Sequence, residues 1–392
     1  LCVTDHVQKS TRSTEEIVRL YVVDNGEGMD PETLRRSIAF ATGSRLNDRS
    51  GIGRFGMGLP CASFSQALRF DVHSWQGGTD NSLTTYGDIT EIKKGTYGRE
   101  VPKPTQEPLP PEVCKAIPDL NQWQSGTIVA WSSLDRMKWK NGNSFFLHCE
   151  HLLGRIYRYF IDTGKVRIYF TNFKSGNPKA TISKTCQPND PLYLMEGTNC
   201  PEWGDPPSDT PMFEEYDSNS WGIVLEDGKE YRIKAKTTLV KEGVRDLLGK
   251  GGGGSSPQGK HAKNNTGVSI VRADRELILQ TAWCNQYDPR ERWWGAEISF
   301  PAIFDEIFQV SNNKQDAPGI NMFVTLEAGE IAESEGFESV TEMVDNWKST
   351  NDFRWLLLEV SQWIKKSIKL MQGIIQKRAA GANKKKERHN TS

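Results

Sequence analysis

The chain has 392 residues, with 49 basic and 50 acidic side chains and a formal net charge of −1. At roughly 150 residues per domain this length predicts two or three domains, and the balanced charge excludes a global field that would steer the protein to nucleic acid or membrane. Seven scattered cysteines without Cys-x-x-Cys spacing argue against a disulfide framework or a zinc site and favour a reducing, cytoplasmic compartment. No apolar run approaches the ~20 residues of a membrane-spanning helix.

The first organised feature is an apolar, β-branched run at residues 20–23, which predicts a buried strand. The polar stretch after it contains Asn-Gly, which is by default a turn. Asp30 and Pro31 then predict the N-cap and the first position of a helix that runs to about Phe40. A strand and a helix that flank this stretch favour a binding loop over a simple turn. Its candidate binding residues are Asp24, Gly26, Gly28 and Met29.

A polar connection at residues 41–50 leads into a glycine-rich loop at residues 51–58, followed by Pro60 and a helix-like run. Glycine lets successive backbone N–H groups turn inward as a nest for an anion, and a following helix adds partial positive charge. The loop therefore predicts a phosphate site. With Ser44 of the connection, its candidate binding residues are Gly51, Gly53, Arg54, Phe55, Gly56, Met57 and Gly58.

The same loop satisfies Gly-x-Gly-x-x-Gly, the dinucleotide fingerprint, which requires its glycines directly after a strand. Here the glycines follow a polar loop, and Asp71, at about the expected distance for the acidic residue, begins a strand instead of ending one. The sequence Gly-x-x-x-x-Gly-Lys-Ser/Thr is absent. The order of elements therefore disfavours both a Rossmann site and a P-loop.

Strand, Asp-x-Gly-x-Gly, helix, polar lid, glycine loop and helix, in this order, resemble the GHKL ATPase superfamily, which includes the gyrase B subunit, MutL, Hsp-ninety chaperones, histidine kinases and MORC proteins. Residues 24–28 match its adenine box, residues 53–58 its second glycine box, and residues 125–127 its late Gly-Thr box. The resemblance implies a mixed α/β (α+β) protein, with a Bergerat-fold ATPase sandwich, a transducer-like βαβ domain and C-terminal helices. It also implies ATP and Mg²⁺ as cofactors.

The residues of the adenine box suit that role chemically. A buried Asp24 carboxylate only accepts hydrogen bonds, so it suits the exocyclic amine of adenine and rejects the carbonyl of guanine. Gly26 and Gly28 leave room for the purine, and Met29 can pack on it as a deformable apolar surface. Thr127 can bridge to the base directly or through water. The ordinary alternative for Thr127 is a strand threonine.

One part of the family pattern is missing. The family carries a Glu general base and a Mg²⁺-binding Asn on a helix before the adenine strand, and residues 1–19 contain no Glu-x-x-x-Asn-Ser/Ala sequence. We expect the chain to be a fragment with this box upstream of Leu1. A complete chain would place hydrolysis in doubt and would bind nucleotide without turning it over.

Two stretches in the middle of the chain have competing interpretations. His148 and His151 lie three residues apart on a helix predicted at residues 147–160, but no third ligand is near, so we predict packing or surface roles and no metal site. A strand is predicted at residues 166–170. The glycine-rich residues 249–258 are predicted to be flexible, as a natural loop or an engineered linker.

The following segments resemble the transducer domain of MORC-type proteins. After a strand predicted at residues 229–240, they are a strand at residues 267–272, a tight turn at Ala273-Asp274 with a returning strand, a strand at residues 295–300, and the sequence Asn-Lys-Gln-Asp at 313–316. The resemblance implies that Lys314 is a switch lysine that reaches the γ-phosphate, with Gln315 in support. A lysine ammonium is a mobile charge suited to a phosphate, and its ordinary alternative is a solvent-exposed loop lysine.

An amphipathic helix at residues 353–375 and a basic tail close the chain. We predict a GHKL-type ATP-binding domain at 1–200, a transducer-like domain at 201–345, a C-terminal helix at 346–379, and a basic disordered tail at 380–392.

The resemblance implies an ATPase that dimerises or closes on ATP to drive a clamp in DNA handling or genome defence. We expect an ATP-dependent homodimer that binds DNA or a partner protein through a missing C-terminal region, and no membrane partner. Two alternatives stay open. A chaperone-like machine would show a client-binding apolar surface and an arginine in place of Lys314, and a silent module would bind nucleotide without hydrolysing it.

Overall fold

The computed structural model describes residues 1–9, 12–39, 58–97, 100–177, 179–225, 227–249, 253–311 and 315–389. The chain divides into two compact units. Unit 1 comprises residues 1–150 and 167–186, and unit 2 comprises residues 151–166 and 187–392. Ser44, the glycine loop at 51–57 and Lys314 lie outside the described residues. Within the described part, no helix combines the length and the apolar character needed to cross a membrane.

Unit 1 is built on an eight-stranded mixed sheet. Its strands are β1 Cys2–Lys9, β2 Arg12–Asp24, β3 Ala67–Gln76, β4 Leu83–Asp88, β5 Thr105–Gln106, β6 Ser125–Leu134, β7 Tyr169–Lys174 and β8 Ala180–Thr185. They lie in the order β5-β4-β3-β6-β2-β1-β7-β8. All neighbours pair antiparallel except β1 and β7. The predicted strand at residues 20–23 is the end of β2, and the strand predicted at 166–170 begins at Tyr169.

Helices cover both faces of this sheet. They are α1 Pro31–Ser37, α2 Gly58–Phe64, α3 Ile89–Lys94, α4 Pro111–Ala116 and α5 Gly142–Ile156, which continues into unit 2. Side chains of successive strand residues point to opposite faces. Phe70 and Val72 therefore pack with Leu34 of α1, whereas Trp75 packs on the other face with Val113 of α4. This is an α/β arrangement with apolar layers on both sides of the sheet.

The predicted start of α1 is confirmed. The Asp30 carboxylate accepts hydrogen bonds from the N–H groups of Glu32 and Thr33, at 2.9 and 3.1 Å, and Pro31 occupies the first turn. The helix ends at Ser37, three residues earlier than predicted.

Unit 2 contains a five-stranded sheet. Its strands are β9 Phe213–Val224, β10 Glu230–Val240, β11 Val268–Arg272, β12 Arg275–Gln280 and β13 Trp294–Phe300, in the order β12-β11-β13-β10-β9. Only β11 and β13 pair parallel among these neighbours. The predicted hairpin turn is confirmed, because Ala273 and Asp274 both have positive φ, at 46° and 65°, as a two-residue hairpin turn requires.

The helices of unit 2 are α6 Arg158–Asp162, α7 Val244–Leu247, α8 Pro257–Asn264, α9 Asn321–Thr325, α10 Ala328–Ser334, α11 Val340–Ser349 and α12 Arg354–His389. The amphipathic helix predicted at 353–375 is confirmed as α12, whose buried Leu357, Val360 and Ile364 belong to the same core cluster as the five strands. The helix runs on to His389, through the first residues of the predicted basic tail. Lysine, alanine and arginine there favour a helix.

Two predicted elements differ in the structure. The single helix predicted at 147–160 breaks at Tyr157, between α5 and α6. The predicted flexible stretch at 249–258 is packed from residue 253 onward. There Ser256 caps α8 by accepting from Gly259 N–H at 2.9 Å, and the buried Gln258 donates to the carbonyl of Glu202 at 2.6 Å. The glycine-rich composition predicts a flexible backbone, but these hydrogen bonds fix it in place.

A buried charged cluster fixes the segment 151–166 within unit 2. Arg158 is fully buried and donates to Glu276 at 3.2 Å, to Ser269 at 2.8 Å and to Glu297. Arg155 donates to the second oxygen of Glu276 at 2.6 Å. Burial alone would lower the pKa of Arg158, but the carboxylates of Glu297 and Glu276 outweigh it and raise that pKa. The cluster thereby ties α5 and α6 to strands β11, β12 and β13.

Candidate functional site

Asp24 stands at the end of β2, opposite Thr127 on β6. Its Oδ1 accepts a hydrogen bond from Gly26 N–H at 2.9 Å. The side chain is exposed because β2 ends at this residue. The prediction of a buried carboxylate is therefore wrong. Partial desolvation by the neighbouring protein still raises the pKa of Asp24, while the Gly26 hydrogen bond acts in the opposite direction. The result is an accessible carboxylate at the end of the sheet.

Gly28 brings the backbone of the loop against β3. Its φ is +69°, and a Cβ on it would lie 2.0 Å from the carbonyl oxygen of Trp75. Gly126 is restricted similarly, since its Cβ would lie 2.6 Å from the Trp75 ring and 2.7 Å from the carbonyl oxygen of Asp24. The Trp75 ring is buried, with Nε1 donating to the carbonyl of Trp123 at 3.1 Å. Because neither glycine has a side chain, the loop and the two strands can approach to backbone contact distance.

Ser74 connects the loop to the Gly-Thr box. It lies opposite Thr127 in the β3–β6 pairing, and its hydroxyl accepts from Met29 N–H at 2.9 Å. The same hydroxyl lies 3.0 Å from the carbonyl of Gly126 and 3.0 Å from the Thr127 hydroxyl. A carbonyl only accepts, so Ser74 uses its one proton there and Thr127 must donate to Ser74. Thr127 is left with lone pairs alone, and it can only accept from a ligand.

The sequence does not single out Ser74. It stands in an otherwise unremarkable strand between His73 and Trp75, both of which are buried. Only the register of β3 against β6 identifies it, because that register places it beside Thr127.

Met29 is half-buried and packs against the apolar cluster of Leu34, Phe70 and Val72. Part of its surface thus supports α1, and its role against a base stays a prediction. Of the predicted phosphate loop, the described residues include only Gly58, which begins α2 and is exposed.

The structure brings together Asp24, Gly26, Gly28, Met29 and Thr127 in unit 1. Gln315 is exposed and belongs to unit 2, and Lys314 beside it lies outside the described residues. The residues before Asp24 form the antiparallel hairpin β1–β2, with no helix at 1–9 or 12–24.

The two histidines on α5 have packing and hydrogen-bond partners. His148 stacks on Trp139 with ring centroids 4.0 Å apart. Nδ1 of His151 lies 3.1 Å from the amide nitrogen of Asn189, which also donates to the His151 carbonyl at 2.9 Å. Across the described ranges, no three His, Cys, Asp or Glu side chains are grouped as metal ligands.

Part of the chain matches the model of a known family. Residues 6–127 match the family described as histidine kinase-, DNA gyrase B-, and HSP90-like ATPase. The matched segment contains the adenine box and ends at Thr127. No curated protein matches the chain. The mixed α/β fold of unit 1, with its large sheet and helices, is consistent with the α/β sandwich of GHKL ATPases, and the family match supports the GHKL superfamily without distinguishing a MORC or MutL type.

Proposed function

We propose that unit 1 binds ATP and that it recognises adenine through Asp24 and Thr127. The observation that carries the proposal is the pairing of two hydrogen-bond acceptors on adjacent strands, beside the close backbone approach at Gly28. The family match over residues 6–127 supports the nucleotide class.

The acceptor pair gives a reason for base selectivity. An ionised Asp24 only accepts, and Thr127 has committed its proton to Ser74. The exocyclic amine of adenine donates, so it satisfies such acceptors. Guanine places a carbonyl at that position, which would face the carboxylate oxygen to oxygen. Each acceptor left unpaired on binding would cost about 1–3 kcal/mol, which favours ATP over GTP.

The proposal extends to hydrolysis. Mg²⁺ would accompany the triphosphate and neutralise part of its charge, as is typical of the superfamily. Lys314 would meet the γ-phosphate, with Gln315 in support. Residues 1–24 carry no Glu and Asn box, so no residue of this chain is assigned to activate water or to hold the metal.

The same resemblance supports an ATP-driven clamp of the MORC or MutL kind, which dimerises or closes on ATP and acts on DNA. This step rests on analogy of the β11–β12 hairpin and the Asn-Lys-Gln-Asp sequence. ATP can drive closure only by binding the closed form more tightly than the open form. A chaperone-like machine and a non-hydrolysing module are the competing functions.

The test is calorimetric titration of ATP and GTP into the Asp24→Ala variant. We expect ATP binding to weaken by about ten- to a hundredfold, because a hydrogen bond to a charged acceptor contributes about 1.5–3 kcal/mol. Asp5→Ala is the matched control, since Asp5 is an exposed carboxylate on the same sheet that accepts from His6 N–H at 2.7 Å. Normal ATP affinity in Asp24→Ala would refute the base site.

The hydrolysis step is tested separately with Lys314→Ala in single-turnover assays. We expect that variant to bind ATP normally and to turn it over more slowly. A rate unchanged from the parent chain would remove Lys314 from the mechanism, and absence of turnover in both would favour the non-hydrolysing module.

A further inference from the structure

A concave pocket of unit 2 lies among the glycine-rich turn at residues 253–255, helix α8 and the segment at 289–293. Its volume is about 420 Å³, and pockets of roughly 300–1,000 Å³ commonly hold small ligands. Among the described residues, four basic side chains and no acidic one line it. The lining residues are Arg245, Gly254, Ser255, Lys260, Lys263, Pro289, Arg292 and Trp293.

The two arginines are held in place by the protein. Arg292 donates to the carbonyl of Gly254 at 2.8 Å. Arg245 lies over the buried Trp293 ring, 5.5 Å from its centroid, and donates to the carbonyl of Ile375 at 3.3 Å. Both guanidinium groups are thus positioned by these contacts with neutral groups, and both line the pocket.

The lysine wall is also built. A Cβ on Gly259 would lie 2.2 Å from the carbonyl oxygen of Gly253, so the turn packs directly on the first turn of α8. Ser256 caps that helix. Lys260 and Lys263 follow at a spacing of three residues and lie on the same side of it. These contacts fix the turn against the helix that carries the two lysines.

Two of the three nearby carboxylates are engaged elsewhere. Asp288 binds Arg290 through Nε at 2.9 Å. Glu291 is buried and accepts from Trp294 Nε1 at 2.8 Å and from Gln372 at 2.9 Å. Asp246, next to Arg245 in the chain, is different: burial lowers the pKa of Arg245, and the charge of Asp246 acts in the opposite direction. Asp246 is exposed and does not line the pocket. Positive charge in the pocket is therefore not balanced by acidic residues of its lining.

We propose that this pocket is a second anion site, distinct from the adenine site of unit 1, and that it binds a small anion of two or three linked phosphates. Arginine forks match phosphate oxygens bidentately, and lysines add mobile charge. Four cations exceed what one phosphate of −1.5 to −2 would balance. The cations converge on one concavity instead of following a stripe, which favours a compact anion over a nucleic-acid backbone.

Pyrophosphate and tripolyphosphate, titrated calorimetrically into the full chain, are the probes. We expect Lys260→Gln/Lys263→Gln to weaken binding by about tenfold, since one exposed ion pair changes an equilibrium constant by up to about fivefold. The control is Lys366→Gln/Lys369→Gln, an exposed pair on α12 with the same spacing and charge change, which should bind normally. Lys260→Arg/Lys263→Arg should also bind normally.

A second variant, Ser255→Asp, puts a negative charge on the pocket wall at an exposed position and should weaken binding without touching either lysine. Thermal unfolding of each variant checks its fold. Duplex DNA is titrated into the same variants for comparison. Four results would overturn the proposal: absence of binding to the parent chain, unchanged binding in both Lys260→Gln/Lys263→Gln and Ser255→Asp, equal weakening in the Lys366/Lys369 control, or variants that lose affinity for duplex DNA while they bind pyrophosphate and tripolyphosphate normally.

Discussion

Replacement of Gly28 by alanine tests whether the close approach of the loop to β3 is rigid. The new Cβ would lie 2.0 Å from the carbonyl oxygen of Trp75 and 2.9 Å from its carbonyl carbon. Both atoms belong to the backbone of a strand paired with β6, and the Trp75 ring is buried. The alanine therefore cannot be accommodated by turning a side chain, and residues of the loop must move away from the sheet.

The expected cost has two parts. A non-glycine residue at positive φ costs about 1–2 kcal/mol. Forcing extra volume into a packed site typically costs about 1–3 kcal/mol. Together they predict a loss of roughly 2–5 kcal/mol in the free energy of unfolding of unit 1.

Gly95 separates the two parts. Its φ of +73° nearly equals that of Gly28, but no atom lies within 4 Å of the position of its Cβ. Gly95→Ala should therefore show only the backbone cost, about 1–2 kcal/mol. Urea unfolding of both variants, followed by circular dichroism, gives the difference, and ATP titration shows whether displacement of the loop also weakens the base site.

Equal destabilisation by the two alanines would refute the reasoning. It would mean that the loop shifts away from Trp75 at negligible cost, so Gly28 would matter for its backbone angle alone. Loss of ATP binding in Gly95→Ala would also contradict it, because Gly95 lies outside the proposed base site.

Two further predictions concern unit 2. Arg158→Met should lower the free energy of unfolding by about 3–5 kcal/mol, because it leaves the buried carboxylate of Glu297 without its guanidinium partner and leaves Glu276 with Arg155 alone. Urea unfolding measures this, and a loss below 1 kcal/mol would contradict it. Burial, with a smaller contribution from His151, lowers the pKa of His261 to about 4. The unfolded state then binds more protons between about pH 6.5 and pH 4, so stability should fall by up to about 3 kcal/mol as the pH drops through that window. His261→Asn should flatten the profile, and an identical slope in both proteins would refute the assignment.

Local sequence predicts the features that local chemistry controls. Asp30 and Pro31 begin α1 as predicted, because capping depends on residues within one turn. The Ala273-Asp274 turn follows from the apolar strands on either side of it. The Asp24 and Gly28 positions also follow from their spacing after the strand.

Features that depend on pairing between residues far apart in the chain cannot be predicted from local sequence. Ser74 meets Thr127 only through the register of β3 on β6, which brings together residues 53 positions apart. The exposure of Asp24 depends on where β2 ends. The packed turn before α8 depends on Gly259 meeting Gly253, and glycine composition alone predicts the opposite behaviour.

The chain passes between the two units three times, because residues 151–166 belong to unit 2 and residues 167–186 return to unit 1. A contiguous piece that ends between these crossings therefore contains no complete unit. A fragment of residues 1–200 ends after the last crossing and contains all of unit 1. It would still carry Arg155 and Arg158 without Glu276 and Glu297, and so expose ionic groups that are buried in the whole protein. During synthesis, too, the segment 151–166 is made more than a hundred residues before Glu276. Arg155 and Arg158 therefore cannot form their ion pairs with Glu276 until that later part of the chain has been made. A simple truncation will not give either unit alone. Its expression will require a circular permutation or a designed linker in place of the segment that belongs to the other unit.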